Sequence, residues 1–384
     1  MKDLELIGRE KELKTLRDLT AAFLDERENK QALWLNVVGE DGIGKTRLLE
    51  ELAAVIQSLA PSHLLTNRYS SGADFPCGSF TIALARQMEM SLWESEYTRK
   101  EKLESRFALF GRLQPGMPDI LQIDKTLPVL GSLLGISYPV PVFNSQLRRG
   151  RGKLIIFSAF RRYLAALRHG RRGPDSPETV ILWFDDLERM DRLSLELLVH
   201  LVQKKDTLWP LIVLTSSNCS FASKLSYLPE FNQFSLGPLS RLSRRKIIKA
   251  LEAGSPGARL SSQVKQLLVE GSPGNPQLLR DAYRLLAECG PGRWEPAGSG
   301  LIGALEKKSR ALETLELRDV IGQRLDRLDH RDCVILQSVA LLGPYCSLEI
   351  LSQMLSRLGY QFADLREKLE HLAREGFLHR ESMR

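Results

Sequence analysis

Gly39, Gly42 and Gly44 precede Lys45 and Thr46 in the stretch "VVGEDGIGKTRLL" (37–49). The pattern G-x-x-x-x-G-K-T lies between a hydrophobic run and a helical one, the setting in which it grips a nucleoside polyphosphate. Glycines let backbone N–H groups turn inward around a phosphate, and the following helix adds its positive N-terminal end. The binding loop is expected to run from Gly39 through Glu40, Asp41, Gly42, Ile43, Gly44, Lys45 and Thr46 to Arg47. Lys45 suits the β- and γ-phosphates of ATP, and the Thr46 hydroxyl suits Mg²⁺. The guanine-reading N-K-x-D pattern is absent, which favours ATP and ADP as the ligands.

A phosphate site with a metal needs an acid at the end of a neighbouring buried strand. "TVILWFDD" (179–186) supplies Asp185 and, beside it, Asp186. Asp185 suits Mg²⁺ coordination together with Thr46. Asp186 suits the polarising of an attacking water, which makes it, with Lys45, the candidate catalytic pair. Either aspartate also suits the N-cap of the next helix.

These residues need a scaffold, and the apolar pattern sketches one. Strands are expected at 32–38, 63–70, 179–186 and 209–217, and helices at 5–24, 45–60, 153–170 and 192–205. Strands alternating with helices imply a mostly parallel sheet with helices on both faces, an α/β fold. That core is expected over 1–240, a helical lid over 241–290, a linker over 291–310 and a final helical domain over 311–384. The final domain carries helical patterns at 331–342, 347–358 and 362–375. Residues 71–145 mix loop signals with short helical pieces and resist assignment.

Composition narrows the function. The chain has 384 residues, of which 43% are hydrophobic and 26% charged, as in an ordinary globular protein. No apolar run approaches the roughly 18 residues of a membrane span, and the charged start is no signal peptide, so a cytoplasmic protein is expected. The five cysteines are scattered, which gives neither zinc-ligand nor disulfide spacing. The net charge of +7 is concentrated in 146–174, which holds nine Arg or Lys and no acid. Such a segment suits phosphate, nucleic acid or an acidic partner, or else a solvated helix face.

Taken together, these motifs resemble the STAND group of P-loop ATPases within the AAA-like ATPases. "LIGREKELKTL" (6–16) is similar to that family's G-R-E-x-E opening, at Gly8, Arg9, Glu10 and Glu12. "FDDLERMDRLSLELL" (184–198) resembles its D-D-L-H-W-A-D stretch, and Gly274-Asn275-Pro276 its G-N-P turn. "LRDVIGQRLDRLDHRDCVILQSVALLG" resembles the start of its winged-helix domain, which here stops at about the first wing strand. The resemblance implies a P-loop core, a lid and a winged helix, with Gly8, Arg9 and Pro276 facing the adenine. It also implies an ATP-favoured open state that self-associates or engages an effector protein.

Three departures qualify the likeness. Ser216 and Ser217 stand where many members carry an arginine, which implies slow hydrolysis; Glu188-Arg189 replace the usual His-Trp; and neither sensor repeats nor an effector follow the last helices. The expected function is therefore a slow ATP-driven signalling switch. A second expectation is a DNA-binding ATPase resembling origin-recognition proteins, using segment 148–172 and the winged helix. A third is a scaffold that retains nucleotide without turnover.

Overall fold

The computed structural model describes residues 6–25, 32–67, 77–113, 121–138, 152–169, 178–203, 210–217, 231–254, 260, 262–288, 325–326, 328–342 and 346–378. The expected linker 291–310, much of the expected winged-helix start, and the arginines at 148–151 and 171–172 lie outside the described residues.

Among the described residues, five strands form one parallel sheet: β1 (Leu33–Val38), β2 (Ser62–Asn67), β3 (Thr179–Phe184), β4 (Leu211–Ser216) and β5 (Phe231–Ser235). Their order is β2-β3-β4-β1-β5. All six residues of β1 and of β4 are buried, as expected of strands covered on both faces, which read as continuous apolar runs. Register aligns Val38 with Ser216 and Phe184 with Leu214, so β1 and β4 end level and β3 ends two residues short of them at the same end of the sheet. The fifth strand was not expected. "FNQFS" is short and mostly polar, and its pairing with β1 decides its conformation.

Helices flank the sheet. Helix α1 (Glu10–Asp25) precedes β1, and α2 (Lys45–Leu59) starts at the lysine of the glycine loop and stops before Pro61. The stretch that resisted assignment is largely helical, with α3 (Gly78–Gln87), α4 (Glu96–Leu113) and α5 (Ile123–Leu133) preceding the basic α6 (Gly152–His169). These helices pack their aromatics onto β3: the Phe80 ring centroid lies 5.3 Å from that of Phe160 and 4.8 Å from that of Phe184. Asp191 ties the cluster to the next helix, α7 (Arg192–Gln203). Its two carboxylate oxygens accept the Ser79 and Ser194 amides at 3.1 and 2.9 Å.

The chain divides into two compact units. One is Thr15–Val38, Leu49–Ser235 and Met383–Arg384, and holds the sheet. The other gathers Met1–Lys14, Gly39–Leu48 and Leu236–Ser382. In this second unit α8 (Arg241–Gly254), α9 (Ser262–Gly271) and α10 (Pro276–Glu288) share a core of Ile247, Ile248, Leu251, Leu268, Leu279 and Tyr283. A separate core around Ile335, Leu351, Leu355 and Leu372 joins α11 (His330–Leu342), α12 (Leu348–Arg357) and α13 (Leu365–Arg374).

Candidate nucleotide site

The glycine loop leaves β1 at Gly39 and enters α2 at Lys45. Gly42 and Gly44 hold φ of +80° and +101°, values that L side chains rarely adopt. A Cβ on Gly42 would lie 2.8 Å from the Asn275 Oδ1 and 2.9 Å from the Gln277 Cβ, so glycine is needed there for space as well. Lys45 is buried; its ammonium donates to the carbonyls of Gly39 at 2.7 Å and Glu40 at 3.2 Å, and lies 3.6 Å from the Asp41 carboxylate. The lysine thus turns back over its own loop, which places a positive charge where phosphate oxygens bind.

The residues around the loop come from both ends of the chain. Arg9 is 5% exposed, and its Nη2 donates to the carbonyls of Ile43 at 3.2 Å and Gly237 at 2.7 Å, while its Nη1 pairs with Glu12 at 3.0 Å. Gly8 donates its amide to the Glu10 carboxylate, and that bond holds the Glu10 pKa below the usual carboxylate range. Arg9 therefore ties the G-R-E opening to the loop backbone. Pro276 also lies close, since a Cβ on Gly44 would be 3.8 Å from its Cγ.

Asn275 was noted in the sequence only as part of a turn, yet it makes a close contact with the loop. Its Nδ2 donates to the Asp41 carbonyl at 2.7 Å, and its Oδ1 accepts the amides of Gln277 and Leu278, capping α10. The Gln277 amide also donates to the Gly42 carbonyl at 3.2 Å. An asparagine just before a helix is a recognisable cap signal; its second partner, over 200 residues away, leaves no local trace. Gly274 sets the turn with φ +89°, where a Cβ would lie 2.6 Å from the Pro238 Cβ.

In the sheet unit, the buried Asp185 follows β3. The Thr215 hydroxyl donates to the Asp185 Oδ1 and accepts the Asp186 amide at 2.8 Å. Asp186 sits at φ +50° and enters a 3₁₀ turn, Leu187–Arg189. No Asp186 side-chain bond caps that turn, so the N-cap reading accounts for its position and not for its carboxylate. Ser217 donates its amide, at 3.0 Å, and its hydroxyl to Glu188. Ser217 therefore joins the end of β4 to this turn, and Thr215, which the sequence did not single out, orients the acid.

These donors suit a nucleotide and its metal. Within its own unit the loop offers amides, the Lys45 ammonium and the α2 N-terminus, donors of the kind phosphate takes, with the Thr46 hydroxyl beside them; within the sheet unit Asp185 offers a carboxylate, a hard oxygen ligand of the kind Mg²⁺ takes. A bound Mg²⁺ would neutralise phosphate charge. No cluster of three His, Cys, Asp or Glu suited to another metal occurs among the described residues.

Comparison with known proteins agrees on the class. The family model for the AAA ATPase domain matches residues 5–214, more than half of the chain, which therefore belongs to that family. No protein of curated function matches it significantly. Among solved structures, it is similar to Cdc6p from Pyrobaculum aerophilum, with 13% identity, TM-score 0.47, and 98% of this chain and 89% of that one covered. It is also similar to the Aeropyrum pernix ORC2 protein in ADPNP and ADP complexes, with 14% identity, TM-score 0.45 and the same coverage. The Thermotoga maritima RuvB branch migration motor follows with 15% identity, TM-score 0.37, and 98% and 91% covered. At TM-scores below 0.5 these likenesses carry no functional argument. No helix among the described residues is long and apolar enough to cross a membrane.

Proposed function

We propose that the chain is a Mg·ATP-binding switch of the STAND type, whose helical lid responds to nucleotide and whose hydrolysis is slow. The observation that carries this is the direct hydrogen bonding of α10 to the phosphate loop, through Asn275 to Asp41 and Gln277 to Gly42. A loop so held cannot reorganise around phosphate without acting on the lid. Lys45 binds the β- and γ-phosphates, Thr46 and Asp185 hold Mg²⁺, and Asp186 orients the attacking water. Calorimetry with Mg·ATP tests the site. Lys45→Ala, which removes the buried cation, is expected to weaken binding about 100-fold or more, as for loss of a charge-assisted contact with phosphate. Unchanged affinity would refute it. Mass measurement with ATP, ADP and no nucleotide tests self-association.

A second reading, a DNA-binding ATPase, draws on the exposed cations Arg241, Arg245 and Lys249, spaced four apart along α8, with Lys246 beside them. Other described elements add little to it. On the basic α6, Arg162 and Arg168 are part-buried and Lys153 pairs with Glu196. The exposed face of α13 mixes Arg366 and Arg374 with Glu367 and Glu370, which cancels its charge toward a phosphate backbone. Duplex affinity that falls steeply with salt would favour this second reading; no binding at low salt would exclude it.

A further inference from the structure

Helix α10 touches more than the phosphate loop. Nine residues after Asn275, about 13 Å along the helix at 1.5 Å per residue, the Arg284 Nη1 donates to the Glu375 carbonyl at 3.0 Å. Glu375 is the C-cap of α13, at the negative end of the helix dipole, which favours a cation. The next residue, Gly376, has φ +80°, and a Cβ there would fall on the Arg284 guanidinium. The chain then returns Phe377 and Leu378 to the α11–α13 core, both amides donating to the Leu372 carbonyl. Between its two ends α10 is fixed by the buried Leu278, Leu279, Ala282, Tyr283 and Leu286, so it moves with its own core as one body.

The loop end supplies a means of driving that body. A peptide group is planar, so the Asp41 carbonyl and the Gly42 amide share one rigid plane, and the Gly42 carbonyl and Ile43 amide share the next. The lid holds both planes by their carbonyls. Phosphate bound in a loop of this type holds the same planes by their amides. Reorienting either amide toward a phosphate must turn the carbonyl that Asn275 or Gln277 grips.

We propose that these two peptide planes and α10 form a relay from the phosphate loop to the C-terminal end of α13, with Asn275 and Arg284 as its contacts. The relay rests on the nucleotide-switch reading above and names its route. Neither residue is a catalytic group; both are positioning residues. Its purpose is to make the α11–α13 domain report which phosphates the loop holds.

Amide hydrogen exchange over 365–378, with and without saturating Mg·ADP or Mg·ATP, tests the relay in the full chain. The quantity read is the nucleotide-dependent difference, because a merely loosened C-terminal domain exchanges faster in every state. In the wild type the difference is expected to be about threefold or more, a modest shift in local opening. Arg284→Ala should abolish it while leaving nucleotide affinity within about threefold, since the residue lies far from the loop. Arg284→Lys, which keeps a donor for the Glu375 carbonyl, should restore part of it. Asn275→Asp keeps the oxygen that caps α10 and loses the Nδ2 donor, and should also abolish the difference. A wild type that binds nucleotide without any response in 365–378, or an Arg284→Ala variant that keeps the full response, would overturn the relay and leave the switch reading standing. A wild type that binds no nucleotide would overturn both.

Discussion

Thr215→Val isolates what orients the acids. Valine matches threonine in shape and removes only the hydroxyl that donates to the Asp185 Oδ1 and accepts the Asp186 amide. Asp185 is 5% exposed, so water does not readily replace the lost donor. A hydrogen bond to a charged group contributes about 1.5–3 kcal/mol, and a stranded amide costs about 1 kcal/mol or more. The expected loss of stability is therefore about 2–4 kcal/mol. Thr215→Ser is the control: it keeps the hydroxyl and loses one methyl, about 1 kcal/mol. Urea unfolding can be followed by tryptophan fluorescence, since Trp34 and Trp183 are buried within β1 and β3. A second measurement, the Mg²⁺ dependence of ATP binding, should also weaken in the valine variant, because an unheld Asp185 loses its preorganisation as a ligand. A valine variant no less stable than the serine one would show that the hydroxyl does not hold Asp185.

Two further outcomes are expected. Arg9→Ala removes three donor contacts from a buried site, which should cost about 2–4 kcal/mol and weaken ADP binding; Arg9→Lys should rescue little, because an ammonium lacks the fork that reaches both carbonyls. Urea unfolding and an ADP titration check both effects. Burial, with Asp191 and Glu196 nearby, pushes the Cys77 thiol up to about 12, so iodoacetamide at pH 8 should label it only as fast as the protein opens. Fast labelling of Cys77 in the native state, read by peptide mass, would contradict its burial.

The glycine loop was legible because its chemistry is local: three glycines, a lysine and a threonine at fixed spacing between a strand and a helix. The apolar runs of β1, β3 and β4 were equally plain, since a strand buried on both faces shows no polar alternation. Helices α3 to α5 were legible only as short helical pieces: their sequence is broken by loop signals, and their aromatics are selected by contact with β3 and α6. Strand β5 escaped for the same reason, its partner being almost 200 residues away.

Residue types and spacing thus set by themselves the AAA ATPase class, the glycine loop and the two acids that follow a buried strand. Tertiary structure alone decided that Thr215 holds Asp185, that Arg9 grips the loop backbone, and that Asn275 joins the start of α10 to Asp41. Each of those is a bond to a carbonyl or carboxylate far off in the chain. A backbone carbonyl is present in every residue, so sequence does not mark the one that a distant side chain will find.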